Sequence, residues 1–435
     1  MKIILPIITV IFLSWNSFAV ASLTIEIDQS SNNAQPIAVI PFVTKITAKE
    51  GAALPKTNIA KVISDNLYRS GKFKALPLHR LPAQPTTISE IDYAQWRPLG
   101  VEGLLIGKVT LNERGLYDIE IRFIDLLRKQ QVVDKQWQDV PENLLRQVAH
   151  KMSDYIYQEL TGIRGAFNTK IAYVTVKKRN KKRLFTLEIS DSDGHNAQPI
   201  LKSSCPIMSP SWSPDGEKLA YVTFENGRSE IVVQNIKDKT REIVASFKGI
   251  NGAPAWSPDG KSLVMTLSKA GSADIYIMNL ASKKLRRLTR NFAIETEAVW
   301  SANGHSLFFN SDRRGQPQIF QVFLDTGEIR RISFEGRYNA NPAVSPDGRY
   351  VAMVNLTKGF NIGLLDLYTS EFNIITNTYL DESPSFSPNG EMILYAMNHK
   401  GKARLAVVAI DNSVTQILSV QDGEVRSPSW GPFRD

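Results

Sequence analysis

The pentapeptide Trp-Ser-Pro-Asp-Gly occupies residues 212–216 and 256–260, and looser copies follow it at regular spacing. Aligned on its second position, the motif falls at Ser213, Ser257, Ser301, Ser345, Ser387 and Gly431, at intervals of 44, 44, 44, 42 and 44 residues. Periods of about 40 to 50 residues are those of propeller blades. Between the motifs run short segments such as "EKLAYVTF", "SEIVVQNI" and "REIVASF", rich in β-branched and aromatic side chains and bounded by Gly, Asn, Asp or Ser. Helical repeats do not read this way. With the tryptophan segment as a further strand, each period supplies the four strands of one blade.

Strands of the "KLAYVT" type begin at Lys170, Lys218, Ser262, Ser306, Tyr350 and Met392, which predicts six blades. The first of these has no motif before it, and "SPSWGP" (Ser427 to Pro432) has no strand after it. Pairing the terminal strand into the first blade removes both defects and closes the ring, leaving no open sheet edge. Within the motif, Pro sets φ for a turn, Asp bonds the backbone two residues on, and Gly takes the positive φ that reverses the chain. Trp212, Trp256, Trp300 and Trp430 fill the gaps between blades, with Val344 and Phe386 at the other two. The repeated aspartate is therefore scaffold, not a catalytic group.

Residues 22–160 follow other rules and read as a small α/β domain, so that the fold class is an α/β N-terminal domain followed by an all-β six-bladed β-propeller. Strands are expected at 36–42, 103–111 and 116–126. Helices are expected at 58–73, with Gly71 at its end, and at 141–162, with Pro141 at its start, Gly162 past its end and a buried face of Leu144, Leu145, Val148, Met152, Tyr155, Ile156 and Leu160. A linker, 161–169, leads to the propeller at 170–435.

Ahead of this, Lys2, an apolar run from Ile3 to Leu13 and Ala19-Val20-Ala21 have the pattern of a secretory signal peptide spanning 1–21. The apolar run is shorter than the roughly 20 residues of a membrane helix, so a soluble exported chain starting at Ser22 is expected. An arm, 22–33, then alternates Leu23, Ile25 and Ile27 with Thr24, Glu26 and Asp28, a pattern that suits either an edge strand or a segment added to a partner's sheet. Cys205 is the only cysteine and reads as a small buried apolar residue.

Catalytic motifs are scarce. There is no G-x-S-x-G elbow, H-E-x-x-H, P-loop or G-x-G-x-x-G, and His79, His150, His195, His305 and His399 are isolated in sequence. Fifty-two basic against 43 acidic side chains give a net charge of +9, and the one dense basic stretch, 176–183, is expected at a hairpin tip in the first blade. Nucleic acid is not an expected partner, since no stacking aromatics accompany those lysines. The loops that gather at the propeller mouth carry Met208, Asn251, Thr296, Glu297, Asn339, Asn341, Asp381, Glu382 and Arg426, a mixture suited to capturing a peptide by hydrogen bonds.

The junction "LTGIRGAFNTKIAYV" (Leu160 to Val174), together with "PIMSPSWSPDGEKLAYV", "NGAPAWSPDGKSL" and "LDESPSFSPNG", resembles the TolB family, the periplasmic component of Tol-Pal envelope systems. The resemblance implies a periplasmic binding protein that takes no cofactor and no metal and has no enzymatic reaction. By the resemblance, such a protein holds the lipoprotein Pal at Met208, Asn251, Gly252, Ala253, Thr296 and Glu297, to which the mouth loops add Asn339, Asn341, Glu382 and Arg426, and engages TolA through Ser22, Leu23, Thr24, Ile25, Glu26, Ile27 and Asp28. It further implies a monomer outside the complex, contacts with other outer-membrane or peptidoglycan-associated proteins, and a part in outer-membrane integrity and constriction at division. An exported propeller tied to peptide hydrolysis, and one that binds carbohydrate or calcium, are the alternatives.

Overall fold

The computed structural model describes residues 34–46, 54–180, 182–418 and 423–434. The expected signal peptide and the arm 22–33 lie outside the described residues.

The first domain is built on a six-stranded sheet in the order Phe73–Ala75, Gln35–Val39, Gly103–Leu111, Tyr117–Asp125, Gln130–Val140, with Val43–Ile46 also pairing to Gly103–Leu111. Strand alternation sorts its side chains by face. Ile37, Leu105, Ile119 and Ile121 pack under the helices Ile59–Arg69 and Leu145–Thr161, while Ala38, Leu104, Ile106 and Ile124 pack with Trp96. Asn58 caps the first helix by accepting from the Lys61 amide at 3.0 Å. Past its end, Gly71 has φ +75°, and a Cβ there would lie 2.2 Å from Ser413 Oγ of the propeller. Only glycine allows so close an approach.

The helix Leu145–Thr161 buries Leu145, Val148, Met152 and Ile156 as expected, and Gly162 ends it in the left-handed conformation. Leu144 and Tyr155 depart from the expected buried face. Leu144 closes a preceding 3₁₀ turn, Glu142–Leu144, out of phase with the helix, and is 41% exposed. Tyr155 lies with its ring 6.2 Å from that of Trp137, covering the strand Gln130–Val140.

Six four-stranded antiparallel sheets make the propeller. In the first blade Glu424–Trp430 pairs with Lys170–Arg179, Val425 opposite Thr175 and Trp430 opposite Ile171, which closes the ring as expected. Each motif tryptophan also locks two blades. The indole N–H of Trp212 donates to Ser429 O at 3.1 Å, that of Trp256 to Ser211 O at 3.1 Å and that of Trp300 to Ala255 O at 3.2 Å. Trp430 donates instead to Thr169 Oγ1 at 2.8 Å, tying the closing strand of the first blade to the linker.

The linker is tightly held: Ala166, Phe167, Asn168 and Thr169 are all buried. Asp154 accepts from the amides of Phe167 at 2.7 Å and Asn168 at 3.0 Å. Burial raises its carboxyl to about 6 against those hydrogen bonds. Asn389 donates to Arg164 O at 3.0 Å, and Lys72 pairs with Glu391 at 3.2 Å. These contacts sit beside the motif turns, so the described residues of the first domain rest on the turn end of the propeller and leave the other end uncovered.

Candidate functional site

The inner strand of every blade enters from the uncovered end and is interrupted by the same irregularity. The pairing register shifts between Met208 and Ser211, Gly252 and Ala255, Thr296 and Val299, Ala340 and Ala343, Glu382 and Ser385, and Arg426 and Ser429. Within each shift one residue has positive φ: Ser209, Ala253, Glu297, Asn341, Ser383 and Ser427. These are β-bulges, which re-aim side chains locally. Six of them around one axis surround a cavity of about 560 Å³ lined by Met208, Ala253, Glu297, Asn341, Glu382 and Arg426 among others.

Of the ten mouth residues named from the sequence, those six line the cavity; Asn251, Gly252, Thr296 and Asn339 lie beside it. The side chain of Asn251 is fully buried and occupied, accepting from Phe247 N at 2.9 Å and donating to Phe247 O at 2.7 Å and Ser229 O at 3.0 Å. Asn339 is likewise buried, donating to Gln318 Oε1 at 2.9 Å and Glu335 O at 2.8 Å. Equivalent positions hold Glu295, ion-paired with Arg313, and Asp381, which accepts from Thr376 and Thr378. Asp381 is therefore another anchor rather than an open ligand. The amides of Asn251 and Asn339, expected to meet a peptide, are spent tying the incoming loop and the preceding blade to the blade that follows.

Thr296 is half-buried and accepts from Asn310 Nδ2 at 3.3 Å. A Cβ at Gly252 would meet only Ile250 Cγ2, at 3.6 Å, leaving that strand open. Glu297 accepts from the Asn341 amide at 3.0 Å, and burial still pushes its carboxyl above the ordinary carboxylate range. Glu382 and Arg426 are exposed.

Apart from Met208, the residues chosen from the sequence missed the apolar part of the mouth. Ile250, Ile294 and Leu380 are 53%, 58% and 41% exposed, with Met208 at 47% and Phe292 extended fully into solvent. Ile250, Ile294, Tyr338 and Leu380 each stand one residue before a buried anchor, at intervals of 44, 44 and 42. The repeat register itself contained that signal.

A second cluster lies at the domain junction. Two of the five histidines isolated in sequence meet here: Asp193 Oδ2 accepts from Arg146 Nη2 at 2.5 Å and lies 3.4 Å from His150 Nε2, while its Oδ1 lies 3.3 Å from His195 Nδ1. Asn66 Nδ2 reaches His150 Nδ1 at 2.9 Å, and the buried Arg69 guanidinium donates to Asn66 Oδ1 at 3.0 Å and Ser192 Oγ at 3.2 Å. Burial lowers His150 to about 4 despite the Asp193 charge, and Asp193 is held well below its usual value although burial opposes this. His150, Asp191 and Asp193 have the proximity of metal ligands. Yet Asp191 is already held by Lys170 Nζ at 2.5 Å and Asn196 Nδ2 at 2.5 Å, so this is an ion-pair network. Cys205, expected to be buried, is half-exposed on the loop leading to Ile207–Trp212.

Two family profiles match the chain, the TolB amino-terminal domain over residues 23–132 and the TolB beta propeller domain over 157–434. The Tol-Pal system protein TolB of Hydrogenovibrio crunogenus is 68% identical over 99% of both chains. That of Xanthomonas campestris pv. campestris is 48% identical over 99% of this chain and 98% of its own. The crystal structure of TolB from Acinetobacter baumannii superposes with a TM-score of 0.84 at 36% identity, covering 95% of this chain and 100% of the other. A propeller closed through its first blade, a first domain seated on its turn end and relatives matched over nearly their whole length agree: the chain belongs to the TolB family.

Proposed function

We propose that this chain is a periplasmic component of a Tol-Pal system, that it holds Pal in the propeller mouth, and that it engages TolA through the arm 22–33. In this role it supports outer-membrane integrity and constriction at division. The system's name comes from the curated relatives. The observation that carries the mouth reading is the exposed apolar collar of Met208, Ile250, Ile294 and Leu380 around a concave cavity with mixed polar and apolar walls. Exposed apolar side chains grouped around a concavity mark a binding surface. The first domain sits at the other end, so a partner at the mouth and one held by that domain need not collide.

The test is a calorimetric titration of residues 22–435 with the soluble domain of the organism's own Pal. One-to-one binding that disappears in Thr296→Arg, with the thermal unfolding midpoint unchanged, is the expected result. An arginine there projects a charge onto the collar while leaving the buried anchors in place. Unchanged binding would remove the mouth assignment. No binding by the folded, unaltered protein would favour the hydrolase-associated or carbohydrate-binding readings.

A further inference from the structure

The turns joining the second and third strands of the blades lie at the same end as the mouth, because the strands are antiparallel and the inner one enters there. Each of these six turns, or the residue flanking it, carries an exposed basic side chain: Lys182, Arg228, Lys269, Arg314, Lys358 and Lys400. The acids in or flanking the same turns are Glu225, Glu230, Asp274 and Asp312. Glu225 is ion-paired with Arg241, Glu230 with the rim residue Arg228 at 3.4 Å and Asp274 with Arg287 at 2.7 Å, and Asp312 accepts from the Ile294 amide at 2.8 Å. A basic rim thus encircles the apolar collar, and inside the collar stand Glu297 and Glu382.

We propose that this rim steers an acidic protein into the mouth, the partner carrying carboxylates on its shoulder around a protruding centre. The inference rests on the mouth reading above and adds the charge of the partner and how it arrives. A ring of basic side chains around one face creates a field that reaches beyond contact distance at low salt and is screened within about 10 Å at ordinary ionic strength. A flat anionic lipid surface satisfies the rim but not the centre. It would leave the cavity unfilled and press negative charge towards Glu297 and Glu382. A protein knob with an acidic collar answers all three zones.

Association and dissociation rates for the soluble Pal domain, measured by stopped flow from about 0.02 to about 0.5 M salt, test this with the full mature chain and with K182E/K269E/R314E/K358E. All four positions are exposed, and the far-ultraviolet spectrum and melting of the variant report its fold. The expected result is an association rate about tenfold lower in the variant at low salt, converging with the unaltered protein at high salt, and dissociation rates within about twofold of each other, since rim charges act mainly on arrival. Pal binding with an association rate indifferent to salt and to the four reversals would overturn the steering but leave the mouth reading intact. No Pal binding by the unaltered protein would overturn both. Sedimentation with phosphatidylglycerol–phosphatidylethanolamine vesicles, lost in the variant, together with salt-indifferent Pal association, would reassign the rim to a lipid surface.

Discussion

The two ends of the propeller's inner strands are built by opposite logic. At the turn end, five blades repeat the same three side-chain bonds. In the second blade Lys218 N donates to Ser213 Oγ, Glu217 N to Asp215 Oδ1, and the serine hydroxyl to the aspartate. The same set recurs around Ser257, Ser301, Ser345 and Ser387, with Asn303 and Asn389 replacing aspartate in two of them. At the mouth end, the position just before each bulge is filled in turn by Met208, Gly252, Thr296, Ala340, Glu382 and Arg426, no two alike. A residue needed to make a blade must recur in every blade. A residue that faces a partner meets a different patch of it at each station around the axis. Repetition therefore identifies scaffold, and variation at a repeated register identifies the recognition surface.

The junction at the turn end should be the costlier region to disturb. Asp193→Ala would leave Arg146 without its carboxylate partner and the buried Arg69 guanidinium without its nearby counter-charge, and breaking a buried pair from one side costs about 3–5 kcal/mol. Urea unfolding should show that loss, and limited proteolysis should reveal cleavage near 161–169. A variant as stable as the parent would mean that the network adds nothing to holding the two domains together.

Acid should sharpen the same contrast. His150 falls to about 4 on folding, so the unfolded chain takes its proton first, and this residue subtracts stability as pH drops from about 6.5 towards 4. Asp154, raised to about 6, acts the other way: its contribution is fully present below about 3.8 and is lost as pH rises through 6. Each amounts to about 3 kcal/mol at most, at 1.36 kcal/mol per unit, and the two oppose over the same interval. His150→Gln should therefore gain stability relative to the parent as pH falls from 6.5 to 4, and Asp154→Asn should lose it. Parallel pH profiles for all three proteins would show that neither group titrates in the folded junction within that range.

The contrast also explains what could be read in the sequence. Blade count, ring closure and the role of the motif were legible because they rest on repeated local chemistry. The strand Gln130–Val140 was not, because it is an edge strand carrying Gln, Asp and Lys on its exposed side and is held by pairing to Tyr117–Asp125 more than by its own pattern. The meeting of His150, Asp193 and Arg69 joins residues up to 124 positions apart, and neither spacing nor composition signals it. At the mouth the sequence discloses the register, but apart from Met208 and the small Gly252 and Ala253 the residues chosen there were polar, which passed over Ile250 for its neighbour.

That pair makes the finest test of the comparison, since Ile250 and Asn251 are adjacent at the mouth yet belong to its two different parts. Asn251→Ala strips the backbone groups of Phe247 and Ser229 of their side-chain partner, and unsatisfied buried groups cost about 1–3 kcal/mol each. Its main effect should be lower stability, visible as a shifted urea midpoint with an unchanged slope. Ile250→Ser trims a side chain already 53% exposed, so stability should stay within about 0.5 kcal/mol. Its effect should instead be on the affinity for the mouth partner, since an apolar contact buried on binding is worth about 1–3 kcal/mol. If Asn251→Ala weakened binding with stability unchanged while Ile250→Ser left binding untouched, the polar anchor rather than the apolar collar would be the recognition element, and the assignment of the two parts of the mouth would have to be exchanged.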